Sequence, residues 1–138
     1  MRGQQITPSQ LAVVSLGGAL GACARWALST RFPVGDDFPW VTLCINVGGS
    51  LLLALLPALL VVRRHQLLPL FLGTGVLGGF TTLSTFSEET RALLASGSFL
   101  AVPYVLVTVL AAAFAVELAH HWSTPAAQQL FDDEEGDE

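Results

Sequence analysis

The residues best suited to chemistry cluster in one stretch, Gly73-Thr74-Gly75-Val76-Leu77-Gly78-Gly79-Phe80-Thr81-Thr82-Leu83-Ser84-Thr85-Phe86-Ser87. Glycines and hydroxyls dominate it. Both weaken helix propagation, glycine through backbone entropy and Ser/Thr through competing local hydrogen bonds. Yet the stretch lies inside an apolar segment long enough to cross a bilayer. In hydrocarbon, each peptide group left unpaired costs several kcal/mol, so a broken helix survives only where protein buries it or where it lines a wet cavity. Interruptions of this kind place bare carbonyls and half-helix ends at the membrane centre, where ions are held. The chemistry predicted is ion coordination. Catalysis is not: there is no Ser–His–acid order, metal-ligand cluster or phosphate loop, and His65, His120 and His121 all sit at the ends of apolar segments. The chain reads as a non-enzyme.

Other polar residues lie on the remaining apolar segments. Thr42, Asn46 and Ser50 are spaced i, i+4, i+8, which makes one polar stripe on a helix. An asparagine amide in hydrocarbon needs partners for two donors and an oxygen. Asn46 therefore reads either as an interhelical hydrogen-bonding group or as a neutral donor lining a pore. Gly17 and Gly21 stand one turn apart, the spacing that lets two helices approach closely, and Arg25 follows. A membrane arginine costs about 2.5–3.5 kcal/mol at a span centre. Arg25 either snorkels to the headgroups or forms a positive lip that draws anions. Phe86 either packs or turns an electropositive ring edge toward an anion. Thr85-Phe86-Ser87-Glu88 has capping-box spacing, so a second half-helix is predicted to start near Thr85. Glu89 lies further along it and would repel an anion, which assigns it to packing or a vestibule. Tyr104 and Thr108 are again i, i+4. Tyr104 is read as an interface anchor or a path residue, and Thr108 as a pore hydroxyl or one bonded back to its own helix.

These residues need elements to hold them. The chain has 138 residues, 52% hydrophobic and 12% charged, with no lysine. Four apolar segments are predicted to span: 11–30, 40–62, 67–95 interrupted at the glycines, and 99–122. The net charge of −5 is misleading, because six of the eleven acids lie between Asp132 and Glu138. The expected organisation is one four-span domain over 1–125 and an acidic disordered tail over 126–138. Cys23 and Cys44 fall in apolar segments and read as small buried hydrophobes. No cleavable signal is expected. Arg2, Arg63 and Arg64 would share one side, against Arg31 and Arg91 on the other. So small a bias favours a cytoplasmic N-terminus only weakly and permits insertion in both orientations.

Three motifs together resemble the fluoride channel family known as Fluc or CrcB. They are Gly17-Gly18-x-x-Gly21-Ala22-x-x-Arg25, Thr42-x-x-x-Asn46-x-x-Gly49 and Gly78-Gly79-x-Thr81-Thr82-x-Ser84-Thr85-Phe86-Ser87. The third is the most specific, and the resemblance covers all four spans. It implies an all-α membrane protein of four transmembrane helices, the third broken at its centre, paired as an antiparallel dual-topology dimer. It implies passive fluoride export across the cell membrane, with a structural sodium ion at the dimer centre that is not transported. The implied sodium ligands are the main-chain carbonyls of Gly78 and Thr81. The implied fluoride path includes Asn46, Thr82, Ser84, Thr85, Phe86, Tyr104 and Thr108, with Arg25, Thr42 and Glu89 in vestibule or packing roles. Implied partners are fluoride, membrane lipid and a second subunit, with no nucleic acid. One position departs: Leu83 stands where the family carries a first phenylalanine. Either a homodimer tolerates it, or a paralogue supplies intact aromatics. The rival readings are a small multidrug-type cation transporter, which needs a first-helix glutamate that this chain lacks, and a non-conducting subunit that only assembles with a partner.

Overall fold

The structure is a computed structural model that describes residues 6–32, 38–59, 62 and 64–135, with 123–135 given by backbone alone. Arg2, Arg63, Asp36, Asp37 and the end of the acidic tail lie outside the described residues. Every regular element described is helical.

Helix α1, Pro8–Arg31, begins with a reciprocal cap. Thr7 Oγ1 accepts from the Gln10 N–H at 3.3 Å, and Gln10 Oε1 accepts from the Thr7 N–H at 2.9 Å. Pro8 sits at the first helical position, where its missing N–H costs nothing. Helix α2, Trp40–Leu55, tightens into a 3₁₀ turn over Leu56–Ala58. Pro57 lacks an N–H and cannot continue the α ladder. The helix described for the second span therefore ends at Ala58, with Leu59 extended.

Helix α3 covers 70–80. It starts as a wide π-helix, Leu70–Leu77, and closes with one α turn, Gly78–Phe80. The Gly78 N–H reaches back five residues to the Gly73 carbonyl. Thr81 and Thr82 then leave the helix: their backbone angles are φ −72°, ψ 157° and φ −147°, ψ 118°. Helix α4, Leu83–Ala95, follows, capped by Thr82, whose Oγ1 accepts from the Thr85 N–H at 3.1 Å. The sequence places this start near Thr85. The extended backbone of Thr82 brings its hydroxyl over that amide, so the cap comes three residues earlier. Helix α4 ends on Gly97, at φ +70°, with Gly97 N–H on Leu94 O and Ser98 N–H on Leu93 O. A glycine there meets no Cβ penalty. Helix α5, Ala101–Glu135, continues past the span end at Trp122. Its backbone stays helical to Glu135, where composition predicts a disordered tail. Ala126, Ala127, Gln128, Gln129 and Leu130 are all good helix formers.

Four segments are apolar and long enough to cross a membrane: Pro8–Arg31, Trp40–Ala58, Leu70–Ala95 and Ala101–Trp122. Large apolar side chains such as Leu16, Leu20, Trp26, Leu110 and Phe114 point outward. That is the expected surface of a multi-pass membrane protein. Helix α1 packs chiefly on α3, and α5 packs on α2 and α4. The first contact is made of backbone. A methyl group on Gly17, Gly21 or Gly79 would run into main-chain atoms of the facing helix. The second contact is made of side chains: Tyr104, Ala101, Ala115 and Ala119 of α5, with Thr42, Leu43 and Ile45 of α2, are buried.

Candidate functional site

Leaving the helix at Thr81 and Thr82 frees peptide groups that must find other partners. The Thr81 N–H and Oγ1 both return to Leu77 O at 3.0 Å. The next peptide groups turn to α2. Asn46 Oδ1 accepts from the Thr82 N–H at 2.8 Å, and Asn46 Nδ2 donates to Thr82 O at 3.0 Å. One side-chain amide thus holds both polar groups of Thr82, as a neighbouring strand would. That leaves Asn46 one N–H to spare. The Thr82 hydroxyl, buried, also lies 3.2 Å from Ser84 Oγ and donates to Thr85 Oγ1 at 3.0 Å.

Beside this interruption lies a groove of about 490 Å3 between α2 and α3. Asn46, Ser50, Thr74, Gly78, Thr81 and Leu83 are among the residues lining it. Among the described residues, no hydrogen bond reaches the carbonyls of Gly78 or Thr81. The Gly79 carbonyl is occupied instead from α1, by Arg25 Nε at 3.3 Å.

A second polar cluster sits where α2, α4 and α5 meet. Glu89 Oε1 accepts from Thr42 Oγ1 at 2.8 Å, and its Oε2 accepts from the Tyr104 hydroxyl at 2.6 Å. Tyr104 is fully buried. Its ring lies 5.1 Å from Phe86 and 5.4 Å, edge-on, from Phe38. One turn further along α5, Thr108 is 5% exposed. Among the described residues its Oγ1 is the one buried side-chain polar atom without a hydrogen-bond partner.

The structure divides the α2 stripe among three tasks. Thr42 serves Glu89, Asn46 serves Thr82, and Ser50 faces the groove. Tyr104 is an interior residue, not an interface anchor. Cys23 and Cys44 are exposed rather than buried, because they lie on outward faces of α1 and α2. Phe86 packs on Tyr104, while Leu83 is 76% exposed at the groove. Sequence reasoning missed the Arg25–Gly79 bond and the place of Thr74 in the groove. The first had a signal, since Gly17, Gly21 and Arg25 are spaced i, i+4, i+8 on one face of α1. The second had none.

A profile of CrcB-like proteins (camphor resistance, CrcB) matches residues 12–120. The chain belongs to the CrcB family. Its family match takes in the interruption, both polar clusters and most of each candidate span. Among its relatives is a protein of Nocardia farcinica named fluoride-specific ion channel FluC 2. It is 43% identical over 131 residues, covering 90% of this chain and 94% of the relative. The fluoride-specific ion channel FluC of Anaeromyxobacter dehalogenans is 46% identical over 128 residues, covering 83% of this chain and 97% of the relative. FluC 2 of Bacillus subtilis is 46% identical over 98 residues, covering 70% and 74% respectively.

Proposed function

We propose that this CrcB-family chain is a subunit of a fluoride-selective channel that lets the anion leave the cell passively across the plasma membrane. The observation that carries the reading is the extended pair Thr81–Thr82 within an apolar span, held crosswise by the Asn46 amide. A protein that only needed to cross the bilayer would have no use for it. The fluoride assignment leans on the names of the relatives.

The physics suits a small hard anion. The Born cost of taking even a carboxylate-sized ion into low dielectric is of order 20 kcal/mol, and a smaller ion costs more. Compact neutral donors must replace its water. The spare Asn46 N–H, the hydroxyls of Ser84 and Thr85, the latter oriented by the bond from Thr82, the unpartnered Thr108 Oγ1 and the Phe86 ring edge form a candidate series. Tyr104 and Thr42 tie up both oxygens of Glu89, which limits its repulsion of an anion.

The groove supports a second part of the reading. Gly78 and Thr81 line it, their carbonyls take no hydrogen bond among the described residues, and carbonyl oxygens suit a hard cation such as sodium. Two carbonyls are too few for a full shell. An inverted second subunit across the groove would bring the same pair again, which is the antiparallel dimer. A cation held there would supply a fixed positive charge beside the anion path. Leu83, exposed at the rim, fits either pairing, a homodimer that tolerates it or a paralogue that contributes the missing aromatic.

The test is efflux from liposomes holding this chain alone. Fluoride leaves down its gradient and chloride does not. If fluoride is retained, and a co-expressed paralogue does not restore efflux, the channel reading fails.

A further inference from the structure

We propose that Arg25 is the positioning residue of the main-chain cation site. Its guanidinium takes the Gly79 carbonyl and so keeps the neighbouring carbonyls of Gly78 and Thr81 turned to the groove. The inference rests on the sodium reading above.

A helix that stops at Phe80 leaves the carbonyls of Gly78, Gly79 and Phe80 without their helical donors, while Leu77 O keeps its own from the Thr81 N–H. Leu77 O receives two bonds from Thr81. Gly79 O lies against α1, where a Cβ on Gly79 would strike the Gly18 main chain. Gly78, about 100° away around the helix, lines the groove. The donor that an unbroken helix would put on Gly79 O is the N–H of Leu83, four residues on. That helix would also wind in Thr81 and Thr82 and withdraw the Thr81 carbonyl. Arg25 occupies the acceptor first, and at a helix C-terminus its positive charge is favourably placed. Gly17 and Gly21, on the same face of α1, set the close approach that brings Arg25 within reach. Arg25 thus favours the interruption by removing the reward for closing it. This also accounts for a charged side chain at a seam otherwise made of glycine and backbone.

The full chain, purified in detergent without fluoride, is titrated with sodium chloride against N-methylglucamine chloride at constant ionic strength. Thermal unfolding is the readout. The wild type is expected to gain stability saturably with sodium. Arg25→Gln should raise the sodium concentration for half-maximal stabilisation by about tenfold or more, since it removes both reach and charge. Arg25→Lys should shift it by about threefold, a partial rescue, because lysine keeps the charge without the planar fork. Equal midpoints in wild type and Arg25→Gln would make Arg25 a packing or headgroup anchor and overturn the proposal. A lower midpoint in Arg25→Gln would also overturn it, by showing that the charge merely repels the cation. Should Arg25→Gln not fold, Arg25→Lys decides by itself: a threefold shift supports the proposal and no shift overturns it. A wild type indifferent to sodium sinks the sodium reading, and this inference with it, an outcome distinct from a responsive wild type whose variants respond alike.

Discussion

Two seams hold this bundle together, and they are built from different materials. Between α1 and α3 the contact is main chain on main chain, made possible by Gly17, Gly21, Gly75 and Gly79 and crossed by one polar bond from Arg25. Between α2, α4 and α5 the contact is a web of side chains: Thr42, Glu89, Tyr104, Phe86 and Asn46. The glycine seam can only position backbone, and what it positions is a row of carbonyl oxygens. The side-chain seam supplies hydroxyls, an amide and rings, which are donors or positive edges. Carbonyls suit cations, while hydroxyls and amides suit anions. On the proposed reading, one chain thus separates two kinds of ion chemistry by the kind of surface each helix pair can form.

The largest test attacks the glycine seam. Gly21→Leu drives a side chain into the Val76 and Phe80 backbone, and overpacking of this kind costs about 1–3 kcal/mol where the core can yield. Main chain cannot yield, so the variant should not be recovered folded after membrane extraction. Gly18→Leu, whose Cβ meets nothing within 4 Å, should be recovered normally. Equal recovery of the two would mean that the close approach is dispensable.

Next comes the link between the seams. Asn46→Leu strands both polar groups of Thr82, at about 1–3 kcal/mol for each buried group. The protein should still be purified, with a lower melting temperature and no fluoride efflux. Unchanged efflux would take Asn46 out of the path. The smallest effect belongs to the rim. Leu83→Phe alters a side chain that is 76% exposed, so stability should change by no more than about 0.5 kcal/mol. Efflux should be equal or higher, and a fall would show the leucine to be fitted to this protein's own partner.

Much of this could be read from residue order, for identifiable reasons. Hydropathy located four spans because membrane length and apolarity are local properties. Glycine and threonine content pointed to the stretch where Thr81 and Thr82 take extended angles, because propensity is local as well. The misses lie where one helix meets another. Spacing placed Thr42, Asn46 and Ser50 on one face, but nothing local says that Thr42 faces a carboxylate on α4 while Asn46 faces a peptide bond. Tyr104 lies near a span end, which suggests an anchor, and only packing shows that it is interior. Pro57 is the exception: its effect on α2 is local and was there to be seen.

The wide turns of Leu70–Leu77 bear on how this chain can vary. Reaching back five residues instead of four accommodates an additional residue per loop of backbone. Deleting one residue between Pro69 and Gly78 can therefore be absorbed by closing a wide turn to an α turn, with Gly79 still facing Gly18. A deletion within an α-helical stretch has no such reserve and rotates everything downstream by about 100°. The segment before Gly78 is thus the part of this span whose length can vary while the groove keeps its lining, a tolerance that comparisons scored on identity alone would overlook.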